Sequence, residues 1–313
     1  MPDVSVIIPA WNAQAFIGRS IAAALAQTGV EVEVLVVDDA STDDTAGAVA
    51  AIGDPRVRYI RQARNGGPAV ARNTAFAEAR GDWLLILDAD DDMGPGRAAD
   101  LLAAAHAAQA DIVADNLWIT SEAEPGQRRL HIPETLDDAV EVLGLADYMR
   151  RNRLFQKEPS LGYLKPMFRK AFLDRHALAY DPALRIGEDY ALVAEALVRG
   201  ARYVRRRSAD YVYVTREGSI SHRLLADDLA AMVAFDKAFI LANAARFDAA
   251  ERDAAQAHLG SLLTGAAFTD MVDGLKARQI GKVLGAAIGR PTAMAHFSLP
   301  IQARLARLRR SRA

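Results

Sequence analysis

Cysteine is absent from all 313 residues, which excludes structural disulfides, thiolate zinc sites and a cysteine nucleophile and fits a reducing cytosol. No run free of Asp, Glu, Lys and Arg reaches the roughly 20 residues that a bilayer-spanning helix needs. Met1-Pro2-Asp3 lacks the basic start of a secretory signal, so the apolar run behind it is expected to be the first strand of the fold. No Gly-x-Gly-x-x-Gly follows any strand pattern, which disfavours a dinucleotide-dependent dehydrogenase. Internal repeats and low-complexity tracts are also missing. What is present is an ordinary globular composition: 51% apolar, 25% charged and a mean hydropathy of +0.00. That length can bury a core without covalent staples.

The formal net charge of −2 conceals an asymmetry. Gly274 to Ala313 holds nine Lys or Arg and no acid, which leaves 29 bases against 40 acids, a net −11, in the first 273 residues. A basic tail on an acidic body suits an anionic partner, phospholipid headgroups or nucleic acid; the plainer reading is a solvated helix end.

Strand and helix patterns alternate through the first hundred residues. Val4–Ile8 is a β-branched run stopped by Pro9, and Phe16, Ile17, Ile21, Ala24 and Leu25 recur at helical spacing. Val32–Val37, Val57–Ile60 and Trp83–Leu87 read as further strands, with helices through Ala50 and over Pro68–Ala79. Four such units predict a mostly parallel sheet covered by helices on both faces. Asp111–Ile119 reads as another strand and Glu122–Asp138 as a surface connection. Leu164–Phe172, Glu188–Arg199 and Tyr203–Val214 read as strand, helix and strand pair. Beyond Arg223 the pattern is helical, broken at Pro291 and Pro300, and the expected domain boundary falls near His222.

Ligands of such sheets bind beyond the carboxyl ends of the strands. Those ends carry Trp11-Asn12, Asp38-Asp39 and Asp88-Ala89-Asp90. Two carboxylates one residue apart suit Mg²⁺ or Mn²⁺, above all beside a phosphate. Each acidic pair alone could simply cap the helix after it. Both lie at strand ends of one sheet, so the capping explanation has to be invoked twice at the place where ligands sit.

Val4-Ser-Val-Ile-Ile-Pro-Ala-Trp-Asn12, Val36-Val-Asp-Asp-Ala-Ser-Thr-Asp43, Arg64-Asn-Gly-Gly67 leading to Ala71-Arg-Asn73, Gly81-Asp82 and Leu87-Asp-Ala-Asp-Asp91 together resemble the successive motifs of family 2 glycosyltransferases with the GT-A fold. Order and spacing match over residues 3 to 92, and Gly187-Glu188-Asp189 is similar to the acidic motif of the acceptor half, extending the likeness to about Ser221. The resemblance implies an α/β catalytic domain over 1–222, divided into a nucleotide-sugar half (1–110) and an acceptor half (111–222), with a helical region and basic tail over 223–313. It implies a nucleobase stacked on Trp11 beside Pro9 and Asn12, Asp38 on uracil N3–H, and Asp39 on the ribose or base edge. Arg72 would reach base or phosphate, Asp88 the ribose or metal, and Asp90, after Ala89, the divalent cation on the diphosphate. His222 could contact the diphosphate or complete the metal shell, or be an ordinary surface or core His, and Arg216 and Ser219 have comparable claims on the phosphates. One carboxylate opposite the leaving group suffices for inversion. Asp189 and Glu188 share the first turn of one helix, whose dipole keeps a carboxylate ionised; spacing leaves the choice of base open and the resemblance favours Asp189.

Processive members carry Gln-x-x-Arg-Trp and transmembrane helices. This chain has neither, and its last Trp is Trp118, so one sugar per encounter is expected. The resemblance implies a saccharide or lipid-linked acceptor, surface or exopolysaccharide synthesis, a cytoplasmic location peripheral to the membrane, and no nucleic-acid partner. In the tail, Ile301, Leu305 and Leu308 line one side of a helix pattern flanked by Arg304, Arg307, Arg309, Arg310 and Arg312. Such a helix could lie on an anionic leaflet, dock on the body or pair two copies as a homodimer. Two rivals remain. A sugar-phosphate nucleotidyltransferase would show a Gly-rich, Arg-containing loop where Pro9-Ala-Trp-Asn12 stands; a non-catalytic nucleotide-sugar sensor or membrane scaffold would have no need of Asp88, Asp90 and Asp189.

Overall fold

In the computed structural model, which describes residues 1–216 and 224–297, β1 (Val4–Ala10) is the hub of the sheet. It pairs in parallel with β2 (Val32–Asp38) and β4 (Trp83–Ile86), and β3 (Val57–Arg61) adds to β2. Every residue of β2 and of β4 is buried, as parallel strands covered on both faces require, which is why these segments read as apolar runs, interrupted in β2 by Glu33. Helices α1 (Ile17–Leu25), α2 (Thr45–Ala50) and α3 (Pro68–Glu78) connect these strands, and α4 (Arg97–Ala108) follows them. The register sets Ala10 against Asp38 and Ile7 against Ile86, so the carboxyl ends of three strands open on one edge.

The sheet continues from β4 through β9 (Met167–Arg169), β6 (Ile112–Ser121) and β10 (Tyr203–Thr215) to β5 (Asp92–Met93). Here β9 is antiparallel to both neighbours, β10 parallel to β6, and β5 antiparallel to β10. Three segments differ from the sequence reading. Glu122–Asp138 contains β7 (Glu124–Leu130), which pairs with β6; its ladder holds a largely exposed edge strand that needs no apolar alternation to form. Leu164–Phe172 forms only the short β9 before α6 (Lys170–Arg175) begins. Tyr203–Val214 is one strand, with its register to β6 shifted between Arg205 and Tyr211. The polar run there looks like a turn, yet Arg205 pairs with Glu134 and Glu141, and Arg206 with Asp100 and Asp138, so the strand carries through. β8 (Val140–Leu143) lies antiparallel to β10, and α5 (Leu145–Arg151) follows it.

After α7 (Glu188–Val198), the chain from residue 226 on is helical: α8 (Ala226–Asn243), α9 (Ala249–Lys276), α10 (Ile280–Gly289) and a 3₁₀ stretch from Pro291 to Phe297. Asp248 caps α9, accepting from the Glu251 amide while Glu251 reaches back to the Asp248 amide. The boundary expected near His222 lies outside the described residues. Among the described residues, no helix is long and apolar enough to cross a membrane.

A buried polar knot locks the amino ends of the strands. The Ser5 hydroxyl donates to Glu33 at 2.6 Å, the Arg80 amide donates to the same oxygen at 2.7 Å, and Arg58 reaches the other at 3.2 Å. The Gly81 amide donates to Ser5 Oγ, and a Cβ at Gly81 would stand 2.6 Å from the Ser5 nitrogen. Only glycine fits that approach, which gives the Gly81-Asp82 motif a structural reason. Burial works against Glu33 ionising, but Ser5, Arg80 and Arg58 outweigh it and hold the carboxyl below its ordinary value of 4.5. Glu33→Gln is expected to cost about 1–3 kcal/mol at neutral pH, because buried donors lose a charged acceptor. A lowered folded-state pKa makes this contribution full above 4.5 and lost as pH falls through the folded value. Urea denaturation of the two proteins should therefore converge on acidification; a gap that stays constant down to about pH 3 would contradict the assignment.

Candidate active site

Five side chains that are far apart in sequence meet just beyond the end of β4. Arg72, on the inner face of α3, is only 3% exposed. Its guanidinium donates to Glu188 Oε1 at 2.8 Å and to Asp88 Oδ1 at 2.9 Å, and stands 3.8 Å from Asp189. Lys165 Nζ lies 2.9 Å from Asp88 Oδ2 and 3.3 Å from Asp189 Oδ2. Three carboxylates thus share two cations. The Tyr180 ring closes one side, with the Arg72 guanidinium 5.2 Å from its centroid.

The local sequence explains each placement. Gly67, at φ +84°, and Pro68 at the first helical position start α3 abruptly. That start is held from outside: the Gly66 and Gly67 amides both donate to the Asp39 carboxylate at 2.7 Å. Glu188 and Asp189 open α7 behind Gly187, at φ +87°. Lys165 precedes β9, and its carbonyl accepts from Arg97, which is itself fixed to Asp115 at 2.9 Å with both side chains buried.

Electrostatics sorts the acids into different states. Burial alone would raise Asp88, but Lys165 and Arg72 hold it well below the usual carboxylate range. Burial and the adjacent Asp189 push Glu188 up, against the opposing pull of Arg72. Burial and then the Asp88 charge push Asp90 up. Asp189 Oδ1 is buried and accepts no hydrogen bond among the described residues.

The loop after β4 is fixed by its backbone. Ser20 Oγ donates to the carbonyls of Ala89 and Asp91, and Arg19 and Arg216 reach the Asp90 carbonyl at 2.7 and 3.4 Å. Asp91 is buried and accepts from the Tyr211 hydroxyl at 2.6 Å and from the Val214 amide. Asp90 is left with its side chain one-third exposed and, among the described residues, no side-chain partner nearer than Arg216 Nε at 4.0 Å. Arg216 in turn stacks on Phe16 at 3.8 Å.

At the neighbouring strand ends, Trp11 is 52% exposed and so is not the core residue that its strand-end position allowed. Asn12 Oδ1 accepts from the Thr42 amide, the Asn12 amide donates to Ser41 Oγ, and Pro9 sits inside β1 opposite Val37. Asp38 faces inward: Oδ1 accepts from the Ser41 amide at 2.8 Å, while Oδ2 accepts from the Tyr59 hydroxyl and lies 3.6 Å from Arg61. Burial and then this bond push the Tyr59 hydroxyl up to about 12. Asp38 and Asp39 thus stand at the predicted edge, with their oxygens already ordering the loops around them, although each oxygen keeps a second lone pair. Arg72 is a buried clamp on acids and not an outward-facing phosphate ligand. His222 and Ser219 lie outside the described residues.

Sequence reasoning missed Lys165, Tyr180, Tyr211 and Arg97. Lys165 offered a signal, a lone cation inside the apolar run Leu164–Phe168; the others did not. Among the described residues no cluster of three or more His, Asp or Glu forms a ready metal cage. The hard, partly exposed oxygens of Asp90, beside the charge of Asp88, do fit one Mg²⁺ or Mn²⁺ that takes its remaining ligands from a bound diphosphate.

A mixed sheet whose parallel half ends in a cluster of acids is the architecture of a GT-A nucleotide-sugar enzyme. The "Glycosyl transferase family 2" profile matches residues 5–175, and the chain belongs to that family. It is 42% identical over 308 residues to the succinoglycan biosynthesis protein ExoO of Rhizobium meliloti (strain 1021), covering 98% of this chain and 87% of that protein. Identity to ExoU of the same organism is 35% over 298 residues, covering 93% and 84%. In fold it is similar to S. aureus TarS 1–349, solved with UDP-GlcNAc, at a TM-score of 0.64 and 19% identity over 91% of this chain and 90% of that one.

Arg72→Met is expected to destabilise the protein by about 3–5 kcal/mol, since buried carboxylates lose their shared cation. Chemical denaturation measures this; a loss below about 1 kcal/mol, the range of exposed ion pairs, would show that the cluster is not organised around Arg72.

Proposed function

We propose that this protein transfers a single sugar from a UDP-linked donor to a saccharide or lipid-linked saccharide acceptor, with inversion, in the assembly of a bacterial exopolysaccharide. The observation that carries the reading is Asp189: a buried carboxylate whose Oδ1 takes no hydrogen bond among the described residues, on the first turn of α7, in the same cluster as the Asp88 loop. The succinoglycan role in the names of ExoO and ExoU supports the exopolysaccharide setting, and the UDP-GlcNAc complex of TarS supports the donor class.

In this reading an acceptor hydroxyl attacks the anomeric carbon from the face opposite the diphosphate. A glycosidic bond forms, the bond from that carbon to the diphosphate oxygen breaks, and the hydroxyl proton passes to Asp189. The 2.8 Å bond from Arg72 to Glu188, against 3.8 Å to Asp189, supports Asp189 as the base. Lys165, on Asp189 Oδ2, fixes that carboxylate and aims the other oxygen. Trp11 gives the nucleobase a face and Arg216 stands ready for phosphate oxygens. A Mg²⁺ or Mn²⁺ ion held at Asp90, with Asp88 and His222 as its other assigned ligands, would supply charge neutralisation on the departing nucleoside diphosphate. The catalytic domain is taken to end near residue 222.

Asp189→Asn is expected to lower transfer by about 10²–10⁴-fold, the usual worth of a general base, while isothermal titration with UDP gives an unchanged Kd. Asp90→Asn should instead weaken UDP binding in the presence of Mn²⁺. Normal turnover by the Asp189 variant across a panel of UDP-, GDP- and dTDP-sugars would sink the assignment.

A peripheral place on the cytoplasmic membrane face completes the proposal. Ile280, Leu284 and Ile288 recur one turn apart on α10 and are 71%, 56% and 78% exposed, and the chain from Gly274 on is acid-free. Each base near an anionic surface contributes about 1 kcal/mol, so replacing Arg304, Arg307, Arg309 and Arg310 by Glu should weaken sedimentation with phosphatidylglycerol vesicles by more than about 100-fold. Unchanged sedimentation would remove the membrane role.

A further inference from the structure

A cavity of about 320 Å³ opens on the second half of the sheet, where β6, β7 and β10 meet the segment before β9. Its volume is at the small end of ligand pockets, enough for one sugar ring and a substituent. Tyr163 and Tyr213 stand edge to face, 6.3 Å apart at 89°, and His131 lies tilted against Tyr163 at 5.4 Å. Aromatic faces of this kind pack against the C–H face of a pyranose. Arg129 and Lys157 flank the opening, both exposed and neither in an ion pair among the described residues. Among the described residues no lining residue is acidic. In a protein whose first 273 residues carry an excess of acid, two unpaired cations converging on an aromatic pocket call for an anionic ligand.

The walls also run directly into the charged cluster. Tyr163 is two residues from Lys165, which touches Asp88 and Asp189, so an extended chain separates pocket and cluster by roughly 7 Å. On the other wall, Thr215 precedes Arg216, the cation nearest the Asp90 carboxylate. Burial lowers the pKa of His131 and keeps the ring neutral at pH 7. Its Nε2 lies 2.7 Å from the Ser160 carbonyl, so a neutral ring donates there and leaves Nδ1 as an acceptor for a hydroxyl.

We infer that this pocket is the acceptor subsite for a saccharide unit bearing an anionic group, with Tyr163 and Tyr213 taking the ring and Arg129 and Lys157 the charge. The inference rests on the glycosyl-transfer reading and adds the chemical class of the acceptor. The negative group has two sources, a carboxylate on the sugar itself or the diphosphate that links a saccharide to a lipid carrier, and the pocket's chemistry serves both.

The test titrates the full chain with cellobiose, with the glucuronate-bearing counterpart of cellobiose, and with a cellobiosyl diphosphate on a short alkyl chain, at low salt. One or both anionic probes should bind about tenfold more tightly than cellobiose, as charge-assisted hydrogen bonds provide. Preference for the glucuronate identifies the carboxylate source, and preference for the diphosphate the carrier source. Arg129→Gln/Lys157→Gln, a change at two exposed positions, should erase the difference, whereas Tyr163→Ala should weaken all three probes alike. Equal binding of neutral and anionic probes, or an anion preference that survives the double substitution, overturns the inference. UDP titrated into the same chain reports the donor site separately: absence of UDP binding would overturn the glycosyl-transfer reading even where the anion preference stood.

Discussion

The Arg72 guanidinium is the point on which the two halves of the molecule depend. It comes from the parallel half on α3, joins the Asp88 loop of that half, and reaches 116 residues along the chain to Glu188 on α7. A buried cation with one partner would be a liability, because desolvation exceeds what a single ion pair returns. Here three carboxylates surround it, and Lys165 balances the excess from the other side. The geometry therefore fixes the distance between the strand-end loop that would meet a nucleotide sugar and the helix that carries the candidate base. The acids are not equivalent within it. Asp88 has one cation on each oxygen, Glu188 is tied to Arg72, and Asp189 Oδ1 takes no hydrogen bond among the described residues.

That division of labour depends on a surrounding layer of polar anchors. Arg97 is buried against Asp115, stacks on Tyr211 at 4.9 Å and holds the Lys165 carbonyl, so the second cation cannot drift from Asp88. Tyr211 in turn fixes both ends of the acidic loop, donating to Asp91 and accepting from the Asp88 amide at 3.2 Å. With the Ala89, Asp90 and Asp91 carbonyls bound by Ser20, Arg19 and Arg216, the Asp90 carboxylate alone faces outward. Asp90 is thus exposed because its neighbours are consumed. A carboxylate pushed up by burial and by Asp88, with Arg216 no nearer than 4.0 Å, is one to which a divalent ion would bind favourably.

The parallel half was legible because its signals are local. β1, β2 and β4 are largely apolar runs ending in polar loops, and a sheet of that type puts its ligand at those ends. The motif residues were legible as positions but less so as contacts. Asp39 reads as a ligand acid, yet both its oxygens hold the Gly66-Gly67 turn that starts α3, and so it acts on Arg72 from a distance. Gly81 reads as part of a catalytic signature, yet its service is to let the chain pass against Ser5. Lys165 showed only as a lone cation in an apolar run; its role arises when β9 inserts antiparallel between β4 and β6, setting Trp83 against Arg169 and Ile112 against Phe168, pairings that no local pattern encodes. β7, largely exposed along an edge, carried no periodicity to read.

The helical C-terminal region belongs to the same argument, since α7 needs a brace on its outer side. Tyr190, one residue beyond Asp189, stacks on Tyr148 of α5 at 5.7 Å and on His258 of α9 at 4.1 Å. His258 is buried and shares a 2.6 Å hydrogen bond with the equally buried Asp236 of α8. Gly187 meets the Met232 side chain, with a built Cβ only 3.0 Å from its terminal methyl, so the turn that launches α7 is pressed directly against α8. One rotation of α7 would move Asp189 off Lys165 and unstack Tyr190 together. Three helices that supply no residue to the charged cluster therefore set the orientation of the carboxylate that does, and the acidic turn of α7 is held from the solvent side by ring packing and from the core side by Arg72.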